Sequence, residues 1–576
     1  MRKLPAIIVL MLIWASSSAQ NFMTRYEKTT GRETATYPEV IQYYRQLTAR
    51  YPQLLKMITV GNTDAGFPLH LVICSPTKDF DFSSLHHKNK RILLINNGIH
   101  PGEPDGIDAS MMLLRDIAQG KTKLPENIVL AVIPVYNIGG ALNRSPYYRV
   151  DQEGPDTFGS RGNGQNLDLN RDFIKTDSKN ARAFQEIYHL MDPDVFIDNH
   201  VSNGADYQHI ITLLSTQYNK LGGPMGEFMH NTFEPGLYQL MKTKDYDLVP
   251  YVNHFDETPD SGWVEFSDLP RYSSGYTTLF HTFGFVPETH MLKPYPQRVK
   301  ATYALMEAFI QFTSEHSAKI KQLRDQTKQS VITQKSFPLA WKFDMNKYSL
   351  ITFKGFASGH NPSAISGLPR LYYDRSKPYE KKIKFYNYAN AENYVDKPQA
   401  YIIPQGWWAV IDQLKNNRVQ LQRLPKDTTI YVEVYHISDF KTYPRPYEKH
   451  YLHTDIKVNS SKDSIRFRAG DYYVPMNQTA NRFLMETLEP TGGDSFFAWN
   501  FFDAILGQKE GYSPYVFEDT AAEYLKSHPE LKTLLDKRKA TDTAFSNSAG
   551  AQLNFIYKNS PYAEPEYMRY PVYRVL

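Results

Sequence analysis

Apolar residues recur with two different periods along the first 325 residues of the chain. In "YPEVIQYYRQLTARYP" and "NARAFQEIYHLM" they fall at helical spacing, whereas "RILLINN" and "NIVLAVIPV" are short unbroken apolar runs. The first pattern predicts amphipathic helices, and the second predicts strands buried on both faces. "PDVFIDNH" is a further short apolar run that ends in polar residues, and "YPQRVKATYALMEAFIQFTSEHSAKIKQLRDQ" predicts a long helix. Strand and helix patterns alternating in this way predict an α/β domain in which helices cover both faces of a sheet. It is expected to occupy residues 20–330.

Beyond Thr333 the texture changes. Segments rich in Pro and Tyr, such as "AYIIPQGWWAVIDQLKNN" and "TTIYVEVYHI", predict a smaller β-rich module. "TGGDSFFAWNFFDAIL" and "EDTAAEYLKSHPELKTLLDKRKA" then predict a helical close. A chain of 576 residues is too long for one hydrophobic core, so residues 331–576 are expected to form one or two further domains.

The opening "MRKLPAIIVLMLIWASSSAQ" has a basic start, an apolar run and a small-residue end, the pattern of a signal peptide over residues 1–19. Its apolar run is short for a membrane span, so a secreted or periplasmic chain beginning at Gln20 is expected. Cys74, the single cysteine, has no intramolecular disulfide partner and reads as a small buried apolar residue in "LHLVICS". With 65 Lys+Arg against 61 Asp+Glu there is no general electrostatic footprint for nucleic acid.

Candidate chemistry enters where the run "LLINN" meets the loop "GIHPGEPDG", at His100 and Glu103. His-x-x-Glu alone says little, since about one example is expected by chance in a chain of this make-up, and "HFDE", His254 to Glu257, is a second. The first pair follows a buried-strand pattern, a scaffold on which ligands are commonly held, and the second does not. A catalytic zinc commonly takes three protein ligands from His and carboxylate. His200, at the polar end of "VFIDNH", is the leading third ligand.

With "NLDLNRDF" between these segments and "FGFVPETHML" after them, the chain resembles the zinc metallocarboxypeptidase family of the carboxypeptidase A type over roughly residues 24–320. The resemblance implies a mixed sheet with helices on both faces and one Zn2+ per chain held by His100, Glu103 and His200. It implies that Glu288 deprotonates the attacking water and that Asp168 fixes the tautomer of a ligand histidine. Asn170 and Arg171 match the pair that grips the substrate's terminal carboxylate, a role suited to a bidentate guanidinium. An arginine that polarises the scissile carbonyl is expected among Arg144, Arg149 and Arg161, with Arg149 preferred. Tyr272 and Tyr276 are candidates for a substrate-binding tyrosine, and Arg271 for a charge in the specificity pocket. "NIGG", Asn137 to Gly140, departs from the family's usual "NPDG".

The expected function is therefore zinc-dependent hydrolysis of the C-terminal amide bond of peptides, the partner being a peptide with a free C-terminal carboxylate. Two alternatives stand beside it: a zinc amidase or deacylase of N-acyl amino acids or cell-wall peptides, and an inactive peptide- or glycan-binding protein. For the last, Trp407 and Trp408 would be candidate glycan contacts if they are not core residues.

Overall fold

The structure, a computed structural model, describes residues 22–254 and 257–576. The expected signal peptide lies outside the described residues. By its backbone contacts the chain resolves into two compact units. One runs to Lys397 and takes in Gln413–Val419 and Asn477–Met485; the other comprises Pro398–Asp412, Gln420–Met476 and Glu486–Leu576.

The first unit is the expected α/β fold, built on an eight-stranded mixed sheet. Its strands are β1 (Leu55–Asn62), β2 (Pro68–Cys74), β3 (Arg91–Asn96), β4 (Ile128–Ile133), β5 (Val195–Asp198), β6 (His200–Ser202), β7 (Ile211–Ser215) and β8 (Phe283–His290). The order is β1-β2-β4-β3-β5-β8-β6, with β7 also pairing with β8. β3, β4, β5, β6 and β8 run parallel to their neighbours on this path from β4 onward, whereas β1, β2 and β7 pair antiparallel. Every residue of β3 and β4 is buried, which is why both read as unbroken apolar runs.

Helices α1 (Tyr37–Arg50), α2 (Asp105–Ala118), α3 (Lys179–Met191), α4 (Ser273–Thr278), α5 (Tyr295–Glu315) and α6 (Ser317–Thr333) flank the sheet in sequence. Thr36 and Glu39 close α1 with a capping box, and Val40, Tyr44 and Leu47 bury one of its faces. The segment "VFIDNH" is two strands rather than one. The break comes at Asn199, whose backbone N–H donates to Asn96 and whose side chain donates to Asn97.

After α6 the first unit continues with the paired strands Ser336–Phe343 and Ala389–Asp396 and with a long antiparallel hairpin, Ser349–Pro362 against Pro369–Tyr386. The second unit carries a six-stranded sheet and, further on, the helices Pro514–Ser527, Pro529–Thr541 and Ala549–Lys558 around a small core of their own. The expected helix over "TGGDSFFAWNFFDAIL" is instead a series of turns with one 3-10 turn at Asp503–Leu506. Its N-terminal glycine pair favours turns, and its aromatic residues from Phe496 to Trp499 are buried without helical periodicity. Trp407 packs against Phe502, whereas Trp408 is exposed. No helix among the described residues is long and apolar enough to cross a membrane.

Candidate metal centre

His100 and Glu103 lie in the loop between β3 and α2, and His200 opens β6, so parallel strand ends deliver all three. Gly102 is required between the first two, because a Cβ there would come within 2.8 Å of Arg149 Cδ and 3.1 Å of the Gly159 carbonyl. One nitrogen or oxygen from each of His100, Glu103 and His200 lies within 4.8 Å of the others, and all three residues are buried.

The orientation of the rings matters more than their proximity. His100 Nδ1 stands 3.2 Å from Glu103 Oε1, and His200 Nδ1 stands 3.1 Å from Glu103 Oε2. The other nitrogen of each ring faces a carboxylate: His100 Nε2 is 2.9 Å from Asp168 Oδ1, and His200 Nε2 is 3.1 Å from Asp198 Oδ2. Both imidazoles therefore present Nδ1 to one point while a carboxylate stands behind each ring, hydrogen-bonded in the case of Asp168 and in ion-pair range in the case of Asp198, an arrangement typical of metal-binding histidines. Two imidazole nitrogens and one carboxylate suit zinc and leave a coordination position open.

The surrounding charges reinforce this geometry. Burial opposes ionisation of Glu103, but Arg149 and His100 beside it hold its carboxyl well below the usual range. For His200, burial is outweighed by Asp198 and Glu103, which raise its pKa. Asp168 is partly buried, which opposes its ionisation, yet His100 and Arg161 hold it low. Glu288 behaves oppositely: burial, opposed by His200 and reinforced by Glu103, pushes its carboxyl up to about 8.

A cavity of about 450 Å³ opens over the three ligand residues, and Glu288, Asn170, Arg171 and Tyr272 border it. Asn170 Oδ1 is buried without a hydrogen-bond partner, and the Arg171 guanidinium lies 4.6 Å from the centre of the Tyr272 ring. Tyr276, by contrast, is not at the cavity. α4 turns it into the aromatic cluster of Phe173, Phe184 and Tyr188, where its hydroxyl donates to Asn417. The expectation that it contacts substrate is corrected on that ground. Arg271 is also buried and does not border the cavity.

The three candidate arginines separate clearly. Arg144 bonds to the carbonyls of Thr157 and, more weakly, Thr34, away from the metal group. Arg149 and Arg161 both border the cavity. Arg149 donates to Glu103 Oε1 at 2.6 Å, to Gln152 Oε1 at 2.6 Å and to the Val201 carbonyl at 2.8 Å. Arg161, half exposed, reaches Asp168 and approaches His100 Nδ1 at 3.3 Å. Asp198 and the cavity-lining Tyr251 were not singled out from sequence. The position of Asp198 two residues before His200, at the same strand end, is a signal that would have found it. The rival His254 contributes its carbonyl to Ala205, and no second metal-holding group occurs among the described residues.

A buried His-Glu-His group on the strand ends of a mixed α/β sheet, with a carboxyl beside it, defines a metal-dependent hydrolase. Residues 40–206 match the family model described as zinc carboxypeptidase. The chain is 20% identical over 457 residues to Carboxypeptidase 2 of Trichophyton rubrum, covering 74% of this chain and 77% of that one. It is 19% identical over 442 residues to Carboxypeptidase 2 of Trichophyton equinum, covering 72% and 74%. Among solved structures it is similar to carboxypeptidase A from Helicoverpa armigera, with 15% identity, a TM-score of 0.38, and 50% of this chain and 74% of that one covered. A metallo-carboxypeptidase from Burkholderia cenocepacia matches with 14% identity, a TM-score of 0.35, and 48% and 69% covered. These likenesses support a metallocarboxypeptidase hydrolase similar to the zinc carboxypeptidases, with His100, Glu103 and His200 placed for one metal ion.

Proposed function

We propose that the protein removes single residues from the free C-terminus of peptides, with Glu288 as general base and acid and with Asn170 and Arg171 holding the terminal carboxylate. The observation that carries this reading is that Glu288 and Arg171 border the same cavity as the three ligand residues. When bound, zinc supplies a Lewis acid and lowers the pKa of a coordinated water. Glu288 takes the proton from the attacking water and returns it to the leaving amine, and its carboxylate borders the cavity beside the ligand residues, as both steps require. Arg171 and the Asn170 side chain select a carboxylate over an amide, confining cleavage to chain ends.

Arg149 is bonded on three sides and is better suited to fixing Glu103 than to meeting substrate. We therefore assign the polarisation of the scissile carbonyl to Arg161, and to Arg149 the orientation of the ligand carboxylate. Tyr272 forms the aromatic wall beside Arg171. The character of residues 1–19 supports export, so the site of action is taken to be secreted or periplasmic.

Mass spectrometry of products from zinc-loaded protein tests the reading, with paired peptides bearing free and amidated C-termini. Stepwise loss of single residues from the free-acid peptides alone is expected. Cleavage confined to N-acyl amino acids would replace this reading with deacylation.

A further inference from the structure

The long hairpin Ser349–Pro362/Pro369–Tyr386 takes no part in the chemistry described above, yet it is held by segments that leave the catalytic strands. After His200 and the cavity-lining Val201, Ser202 and Asn203, the chain runs directly to the hairpin. Tyr207 forms a β-bridge with Gly355, and the Gln208 backbone N–H donates to the Lys354 carbonyl at 2.9 Å. Gln208 Nε2 donates to the carbonyls of Gly355 at 2.8 Å and Tyr379 at 3.0 Å, and the Lys354 N–H donates to His209 Nε2 at 3.1 Å.

Arg375 ties the hairpin to the segment just beyond β8 as well. Its Nε donates to the buried Asp206 Oδ2 at 2.6 Å, and its Nη2 donates to the Leu292 carbonyl at 3.2 Å, four residues beyond Glu288. A third tie is made by Trp263 and Val264, which lie between the cavity-lining Asn253 and Phe266 and pair in parallel with Phe385 and Tyr386.

We propose that this hairpin belongs to the substrate-binding site, fixing the wall along which peptide residues upstream of the scissile bond leave the cavity, with Arg375 as a positioning residue. The proposal rests on the carboxypeptidase reading. With the terminal carboxylate at Arg171, the rest of the peptide passes the metal ligands, and Val201, Ser202 and Asn203, which line the cavity directly after the ligand His200, are the wall we assign to it. Those residues continue into the segment that the hairpin holds by main-chain and side-chain bonds. A wall fixed by several independent bonds is preorganised for an extended chain, whereas a substrate too short to reach it gains little from it.

The test compares kcat/KM for a hexapeptide with kcat/KM for an N-blocked dipeptide sharing its C-terminal residue, in wild type, Arg375→Ala, Arg375→Lys and Gln208→Ala. Zinc content and melting temperature identify any variant that fails to fold. The hexapeptide-to-dipeptide ratio is expected to fall about tenfold in Arg375→Ala, through KM, and in the same direction in Gln208→Ala. Arg375→Lys, which keeps the charge facing Asp206, is expected to restore part of the ratio. An unchanged ratio in folded Arg375→Ala and Gln208→Ala overturns the proposal while leaving the carboxypeptidase reading intact. Wild-type protein that releases no residue from either substrate removes that reading and this proposal with it.

Discussion

Glu288 and His200 stand opposite one another, in register on the adjacent parallel strands β8 and β6. Paired residues on neighbouring strands project to the same face of a sheet, so the backbone ladder itself brings the proposed base and a metal ligand together. Their separation is set by strand spacing rather than by a loop. Glu288→Gln preserves size while removing the proton-accepting carboxylate. Zinc content is expected to stay at one per chain while kcat falls about 10²- to 10⁴-fold, checked by metal analysis alongside turnover of a blocked dipeptide. Activity at the wild-type level would take Glu288 out of the mechanism.

Asp198 offers a different kind of test, because it faces His200 from behind and accepts a hydrogen bond from Asn96 at 2.9 Å. Asp198→Asn leaves the ligand set intact but removes the charge that orients the ring. Zinc affinity is expected to drop about 10- to 100-fold, measured by competition with a chelator. An unaltered affinity would mean that His200 is fixed by packing alone.

For Arg171, the expected effect is on recognition of the chain end. Arg171→Ala should raise KM for peptides with a free C-terminus about 100-fold. The corresponding amidated peptides, already poor substrates, should change little. The same loss on both substrate classes would place the carboxylate elsewhere.

The buried histidines predict how stability depends on pH. Burial lowers the pKa values of His189 and His209 to about 4 and that of His281 to about 3. The unfolded chain takes up these protons near pH 6.5, whereas the folded chain does not until about pH 4. Their contribution is therefore complete above about pH 6.5 and is lost progressively as the pH falls towards 4. Melting temperature should decline through that window, and His281→Asn should flatten the decline. Asparagine tolerates the left-handed backbone at this position, φ 60°, so the variant tests the titration rather than the turn. An identical slope in the variant would remove His281 from the account.

Much of the site was legible because its residues sit at the ends of buried strands, where an apolar run gives way abruptly to polar residues. His100, Glu103 and His200 all have that signature. The arginines did not, since position along a loop cannot say which of three guanidinium groups turns towards the cavity, and only their bonding partners separate Arg149 from Arg161. Nothing in "RYSSGY" tells Tyr272 from Tyr276, because it is the short helix α4 that points the Tyr276 ring into the core. The long hairpin was hard to read for another reason: its strands are rich in Lys and Tyr, and only the short stretches around Phe353–Gly355 and Ile383–Phe385 bury alternate residues, too few to mark the period of strands this long.

Asp168 touches both halves of this site at once. Its Oδ1 faces His100 Nε2 at 2.9 Å and accepts the Asn170 N–H at 2.9 Å, while its Oδ2 accepts from Arg161 at 3.0 Å. A single carboxylate thus spans a metal ligand, the loop proposed to grip the peptide end and the arginine proposed to meet the carbonyl. This shared carboxylate predicts that occupancy of one half is coupled to occupancy of the other, and linkage makes any such coupling reciprocal. Whatever factor metal adds to the affinity for a product amino acid, that amino acid must add to the affinity for metal. Paired calorimetric titrations, each begun with the other ligand already bound, would read the same factor twice, and Asp168→Ala should bring it towards one.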